Sequence, residues 1–527
     1  MKFFRRLLSL ESLFVFLVVC GAGFLRLYRI GDYLTFLGDE GRDVLVVRNI
    51  LLGDLTLLGP RASAGDFFLG PIYYYFMAPF LWLWNFDPIG PAIMIGIIGT
   101  VTVWLIYFVG KQFFGSTASL FAAALYSVSP VVIAYSRSSW NPNPMPFFSL
   151  VVLFLLYKAV AEEKRRLYIL IGVLFGITMQ LHYLATFLGV IVLIYLFIAH
   201  WMRARKRVFP SMLHPLSRMS IGFLIGFSPF LAFEVRHGFP NFRTILNFIF
   251  TNTFSSSYKT GMAFQDVLGN VFFRLFGRLI TRFPPPEQVS VQTNQGIALW
   301  YYATVILAIV STGIFAWQFY KYYTKKDEKK ILQYSLIALW FFLGIILFGF
   351  YKKPIHDYYF GFMFPAPFLL LGNALATIVK SKRLNIIGVV LGLFAFSWLL
   401  FFNLKGAPFL SSPNRQKDQV KMIAEFVMEK AGGKPFNFAL LTKGNSDHAY
   451  RYFFELAGRP PVTIENETID PMRKTVTDQL LIICEDTSCK PLGNSLWEVA
   501  GFGRAEIVDE WRVSVVKVYK LSRYTGE

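Results

Sequence analysis

Long apolar blocks separated by short basic clusters fill the first 405 residues. Membrane-crossing helices are expected at about 11–27, 89–110, 116–134, 147–160, 167–183, 184–200, 217–233, 297–319, 331–350, 358–378 and 384–403. Many of these approach the roughly 20 residues that a helix needs to cross a bilayer. Lys and Arg hold short loops on the cytoplasmic side. Lys2, Arg5 and Arg6 precede the first span, so it is expected to run outward. Lys111, the Lys158 and Lys164–Arg166 group, the Arg203–Arg207 group, 321–330 (KYYTKKDEKK) and the Lys380–Arg383 group then fall inside. About eleven crossings result, with the C-terminal region outside. No small-residue cleavage site follows the first apolar run, so that helix is expected to be retained.

Two outward regions are long, 28–88 and about 234–295. Within the first, 71–84 (PIYYYFMAPFLWLW) is apolar but short for a span, and reads as re-entrant or interfacial. Either this segment or 234–295 can add helices and shift the count. Residues 411–527 change character and read as a small extracytoplasmic α/β domain. A helix is expected over 415–431, stopped by Gly432-Gly433. FNFALL, QLLIIC and SVVKVY read as strands, and DHAYRYFFELAG as a helix. The expected organisation is thus mainly α: a polytopic membrane bundle over 1–405, followed by that domain.

Composition agrees with the pattern. Hydrophobic residues make up 55% of the 527 and charged residues only 16%, against about 25% charged in a soluble protein. The net charge of +20 would suit nucleic acid, but its placement between apolar blocks argues for a membrane and against a nucleic-acid partner. The three cysteines are Cys20, Cys484 and Cys489, so there is no metal-binding cysteine framework. If the C-terminal region is extracytoplasmic, Cys484 and Cys489 can close a short disulfide loop.

The most informative string is Gly38-Asp39-Glu40-Gly41-Arg42-Asp43, followed by VLVVRNILLG. Asp39 can cap a helix that begins there; Val44, Val47 and Leu51 share one face and Gly53 ends the run. An amphipathic helix on the outer membrane surface is expected, carrying an acidic pair at its N-terminal end. A solvated surface cap would look the same in isolation. The position of the pair, soon after the first span and before the apolar segment 71–84, favours a functional role.

That layout resembles the glycosyltransferases of the GT-C fold, and more narrowly the protein O-mannosyltransferase and aminoarabinose transferase group. The resemblance covers about residues 1–405. It rests on the Asp39-Glu40 pair in the first outward loop, the Gly-Pro-rich apolar segment after it, the loop SRSSWNPNPMP before a new span, and the many-span body. Such enzymes pass a sugar from a polyprenyl-phosphate-linked donor to an acceptor outside the cytoplasm. The acceptor hydroxyl loses a proton as it attacks, and a carboxylate can take it. The departing lipid phosphate needs cations but no general acid.

On that resemblance Asp39 is the expected base, with Glu40 orienting it or binding the acceptor and Asp43 in support. Arg42 is either an ion-pair partner or a sugar contact. Outer-side cations for the phosphate are Arg61, Arg137, His182, Arg278, Arg282, Lys352, Lys353 and His356, with Arg137 first among them. His182, in Gln-Leu-His-Tyr, can equally be a packing histidine. In YKKPIHDYY, where Tyr358 joins the basic residues, an ordinary loop with interfacial tyrosines fits as well as a phosphate site.

The chain departs from this group in two places. The aminoarabinose transferases carry a Lys-Pro-Pro motif in the first loop where Leu69-Gly70-Pro71 stands, and relatives often place an aspartate where Asn141 and Asn143 stand. A divalent metal therefore stays open as a cofactor, as does the donor sugar; the acceptor is not specified. A transporter or flippase of lipid-linked glycans would also explain the spans and outward cations. Its ionisable residues, however, tend to lie near the bilayer midplane, whereas here the acids cluster at the outer surface. A non-catalytic scaffold would leave the acidic pair unexplained.

Overall fold

The fold comes from a computed structural model that describes residues 10–62, 67–204, 207–250, 263–284, 288–289, 294–351, 354–486 and 488–524. All eleven apolar segments expected to cross a membrane coincide with helix. Six helices are long and apolar enough to span, or eight if each of two bent pairs counts as one. The remaining three, Ser116–Val128, Met145–Ala161 and Leu167–Leu181, are shorter. The expected count of eleven is therefore not reached by length. One cause is local: Pro130 opens a new short helix after Ser129, where the sequence reads as one continuous span to 134. The bends lie between Val208–Gly226 and Ser228–His237 (74°) and between Asp357–Met363 and Pro365–Val379 (59°). The segment expected to be re-entrant or interfacial is a twelve-residue helix, Ile72–Leu83. The region 234–295, expected to lie outward, adds helices at Pro240–Phe250 and Phe264–Phe273.

The chain divides into two compact units that do not follow the linear boundary expected near 405–411. The first comprises 1–28, 56–76 and 92–412, the second 29–55, 77–91 and 413–527. Most of the loop 28–88 thus folds with the C-terminal domain. The reason lies in bonds the sequence pattern cannot reveal. Within the second unit, Arg415 N–H donates to Asp32 O at 2.9 Å, Phe36 N–H to Gln416 Oε1 at 3.1 Å, and Lys417 pairs with Asp87 at 2.9 Å.

The first unit is a helical bundle. Its helices Leu167–Leu181 and Val208–Gly226 meet through glycines. A Cβ on Gly172 would lie 2.0 Å from Met219 O, and one on Gly222 2.0 Å from Ile169 O. Such small-residue faces let backbones approach where lipid removes any hydrophobic drive between helices.

The second unit holds a four-stranded sheet of order β1-β2-β4-β3. Strand β1 (Asn437–Leu441) runs parallel to β2 (Gln479–Cys484), and β4 (Val516–Arg523) runs antiparallel to both β2 and β3 (Ala505–Val513). β1 and β2 are fully buried, which is why they read as continuous apolar runs. Helices Gln416–Lys430 and His448–Leu456 occupy the expected positions, and Gly432 and Gly433 end the first with φ of 64° and 75°. Cys484 and Cys489 are joined as a disulfide.

Candidate active site

The acidic string forms the first turn of a helix spanning Gly38–Leu51. Asp39 is not its cap. Leu37 holds that position, and the Glu40 carboxylate reaches back to accept the Leu37 N–H at 3.0 Å, one half of a capping box. Val44, Val47 and Ile50 are buried while Leu51 is half-buried, so the inward face is rotated slightly from the expected one. That face is covered by helix His448–Leu456 of the same unit. Gly41 abuts Ala449 so closely that a Cβ there would lie 2.3 Å from the Ala449 nitrogen.

Three carboxylates and one guanidinium meet at this helix end. Arg42 Nη1 lies 2.8 Å from Asp39 Oδ1, while its Nε and Nη2 donate to Asp43 Oδ1 at 3.0 and 2.8 Å. The Asp39 side chain is 58% exposed; that of Asp43 is fully buried. Glu40 is buried as well, and burial pushes its carboxyl up to about 7 against the bonds from Leu37 and its own backbone. That value would suit a base, but the Glu40 carboxylate is enclosed and bonded to Leu37. Asp39 is the acid that offers an oxygen to solvent. His448, half-buried on the packed helix, is held below the usual imidazole range by burial and senses the charges of Asp39 and Arg42.

A separate cluster belongs to the first unit. His182 stacks on Tyr183 with ring centroids 4.6 Å apart and lies within 5.8 Å of Tyr358; Tyr358 in turn stacks on His356 at 5.7 Å and meets Trp140 at 4.3 Å. Three segments distant in sequence thus converge. Beside them opens a cavity of about 690 Å³ lined by Trp140, Asn270, Arg274, His356, Asp357 and Tyr358, among others. Asp357 pairs with Arg274 at 2.7 Å and also with Arg278. Two guanidinium groups thus share one carboxylate beside the cavity. Arg274 escaped the sequence reading because its segment looked like an outward loop; the amphipathic run FQDVLGNVFFR was the available signal.

The other expected residues lie elsewhere. Arg137 does not offer its charge to a phosphate: it is 2% exposed and donates to the carbonyls of Leu25, Arg26 and Tyr28 at 2.9, 3.1 and 2.8 Å, tying off the end of helix Leu10–Leu27. Asn141 is buried and bonds Leu181 O at 2.6 Å. Asn143 donates to Ser138 O and lines a narrow cleft with Tyr358. Arg61 is exposed on a short antiparallel bridge to Phe68. Arg282 donates to Phe402 O at 2.7 Å. Lys352 and Lys353 lie outside the described residues. Among the described residues no three His, Cys, Asp or Glu side chains gather to hold a metal ion.

Residues 69–233 match the profile of a family described as dolichyl-phosphate-mannose-protein mannosyltransferase. No curated protein matches the chain. Among solved structures the chain is similar to ArnT from Cupriavidus metallidurans bound to undecaprenyl phosphate, with a TM-score of 0.61 and 12% identity over 96% of this chain and 97% of that one. It is also similar to the archaeal oligosaccharyltransferase AglB from Archaeoglobus fulgidus in complex with an inhibitory peptide and a dolichol-phosphate. There the TM-score is 0.54 and the identity 12%, over 90% of this chain and 69% of that one. The chain has the GT-C fold of these glycosyltransferases, and the resemblance read from the first outward loop holds at that level.

Proposed function

We propose that the chain is an inverting glycosyltransferase that moves a sugar from a polyprenyl-phosphate donor to a hydroxyl acceptor on the outer face of a plasma membrane. In this reading the N-terminus is cytoplasmic and the C-terminal domain extracytoplasmic. The class is supported by the partial family match and by a fold shared along nearly the whole of ArnT, a protein solved with undecaprenyl phosphate. The observation that carries the chemistry is the asymmetry of the acidic turn, where Asp39 alone is exposed and Arg42 holds it to a buried Asp43.

The acceptor O–H gives its proton to an Asp39 oxygen as the acceptor oxygen bonds to the anomeric carbon. The bond from that carbon to the donor's phosphate oxygen breaks on the opposite face, which inverts the centre, and polyprenyl phosphate departs with the electron pair. Arg42 orients the base through its forked geometry. Glu40 orders the turn through Leu37. Within the first unit alone, the guanidinium groups of Arg274 and Arg278, with His356 and the tyrosines beside them, are of the kind that binds a phosphate.

The test is transfer of labelled sugar from a panel of synthetic polyprenyl-phosphate donors by the purified full-length protein, with the product's anomeric configuration read by NMR. Donor consumption with inversion is expected. Retention would overturn the single-displacement step, and absence of turnover across the panel would favour lipid-linked glycan transport instead.

A further inference from the structure

The first N–H of the acidic helix is held by a side chain from the sheet domain. Asn445 Oδ1 accepts the N–H of Gly38 at 2.8 Å and that of Ser446 at 2.9 Å. Its Nδ2 donates to both oxygens of Glu485, at 3.0 and 3.2 Å. Glu485 follows β2 directly; its N–H donates to Leu441 O at 3.0 Å, and its Oε1 also accepts from Tyr450 OH at 3.0 Å. Burial, with the Glu485 charge beside it, pushes the Tyr450 phenol up, so it stays a donor. A carboxylate can only accept, so the Asn445 amide has one workable orientation, with its oxygen toward the helix.

The fit is close. A Cβ on Gly38 would lie 2.1 Å from Ser446 Oγ and 2.8 Å from Ser446 N. The N–H groups of a helix's first turn have no partner inside the helix, and here the N–H immediately before Asp39 finds its acceptor in Asn445. A carboxylate that must meet a hydroxyl within hydrogen-bond reach tolerates little displacement.

We infer that Asn445, held by Glu485, is a positioning residue for Asp39, and that the C-terminal domain is thereby part of the catalytic apparatus. This rests on the reading of Asp39 as base. Asn445 touches no reacting atom in this account; it acts through Gly38.

The experiment compares full-length wild type with Asn445→Asp, Glu485→Gln and the double variant, using a synthetic polyprenyl-phosphate-sugar donor. Asn445→Asp sets a second carboxylate against Glu485. It is expected to lower kcat by about tenfold or more while the donor KM moves by less than about twofold. The double variant reverses donor and acceptor at the same net charge: the amide now at position 485 donates to the carboxylate now at position 445 and accepts from Tyr450. It is expected to recover kcat to within about threefold of wild type, and Glu485→Gln alone to stay near wild type. A purely structural residue would give a loss tracking thermal stability, so Thr477→Val, which weakens the Asn437 network elsewhere in the domain, serves as control. That control should lower the melting temperature with kcat retained. An Asn445→Asp protein with wild-type kcat, or a double variant no faster than it, overturns the inference.

Hydrogen exchange over residues 38–42, read on the same samples, separates this inference from the reading beneath it. Exchange should rise in Asn445→Asp and return in the double variant; exchange unchanged by Asn445→Asp removes the anchor whatever the activity. Wild type that consumes no donor while exchange follows that order would retain the anchor but overturn its catalytic role, because the function itself would have failed.

Discussion

Arg42 Nη1 lies 2.8 Å from Asp39 Oδ1, while the same guanidinium holds Asp43 through Nη2 at 2.8 Å. One cation thus links an exposed carboxylate to a fully buried one. An ammonium cannot reproduce this fork. Arg42→Lys is expected to fold but to lose kcat by about tenfold or more, read in steady-state turnover. Arg42→Met removes the guanidinium from a buried carboxylate and should destabilise the second unit by on the order of 3 kcal/mol, read by hydrogen exchange. Wild-type turnover in Arg42→Lys would contradict the orienting role.

Glu40 makes stability depend on pH. Its carboxyl sits at about 7 in the folded chain against 4.5 when free. The folded state therefore retains a proton that the unfolded chain releases, so the contribution is complete below pH 4.5 and is lost as pH rises through 7. The span corresponds to at most about 3 kcal/mol. Gln at this position keeps an acceptor for the Leu37 N–H without the charge. Glu40→Gln should flatten the profile between pH 4.5 and 7 and be the more stable protein at pH 8, measured by thermal unfolding. A variant with the wild-type slope would remove Glu40 as its source.

The cavity beside Arg274 is expected to act on the donor. Arg274→Lys keeps the charge but loses the planar fork, and Arg274→Ala loses both. The donor KM should rise by about threefold in the first and tenfold or more in the second, with smaller changes in kcat. Inhibition by free polyprenyl phosphate should weaken in step. An unchanged KM in both variants would locate the phosphate elsewhere.

What was legible in the chain follows from which interactions are local. The apolar helices, the acidic helix and strands β1 and β2 are written in the runs and periodicities of adjacent residues, and helix or strand stands at each of these places, although only six to eight of the eleven expected spans have the length and apolarity to cross. Strand β3 was missed because its side chains are mostly exposed and its apolar face, Ala505, Ile507, Trp511 and Val513, is interrupted at Asp509, where a register shift breaks the alternation. The union of residues 29–55 with the sheet domain rests on the packing of helix Gly38–Leu51 against His448–Leu456 and on contacts such as Gly38 to Asn445, 407 positions apart. Arg137 misled for a related reason: a cation in a short outward loop reads as available, and only the three carbonyls around it reveal that it is not. His182 was read apart from the loop that carries His356 and Tyr358; their convergence with Trp140 required the fold.

The central claim is that Asp39 accepts the proton of the attacking hydroxyl. Asp39→Asn leaves an exposed side chain of the same shape on the same helix turn, so insertion and melting temperature should match wild type. The measurement is consumption of a synthetic polyprenyl-phosphate-sugar donor by the two purified proteins side by side. A loss on the order of 10²- to 10⁴-fold is expected in the variant. Turnover equal to wild type would contradict it.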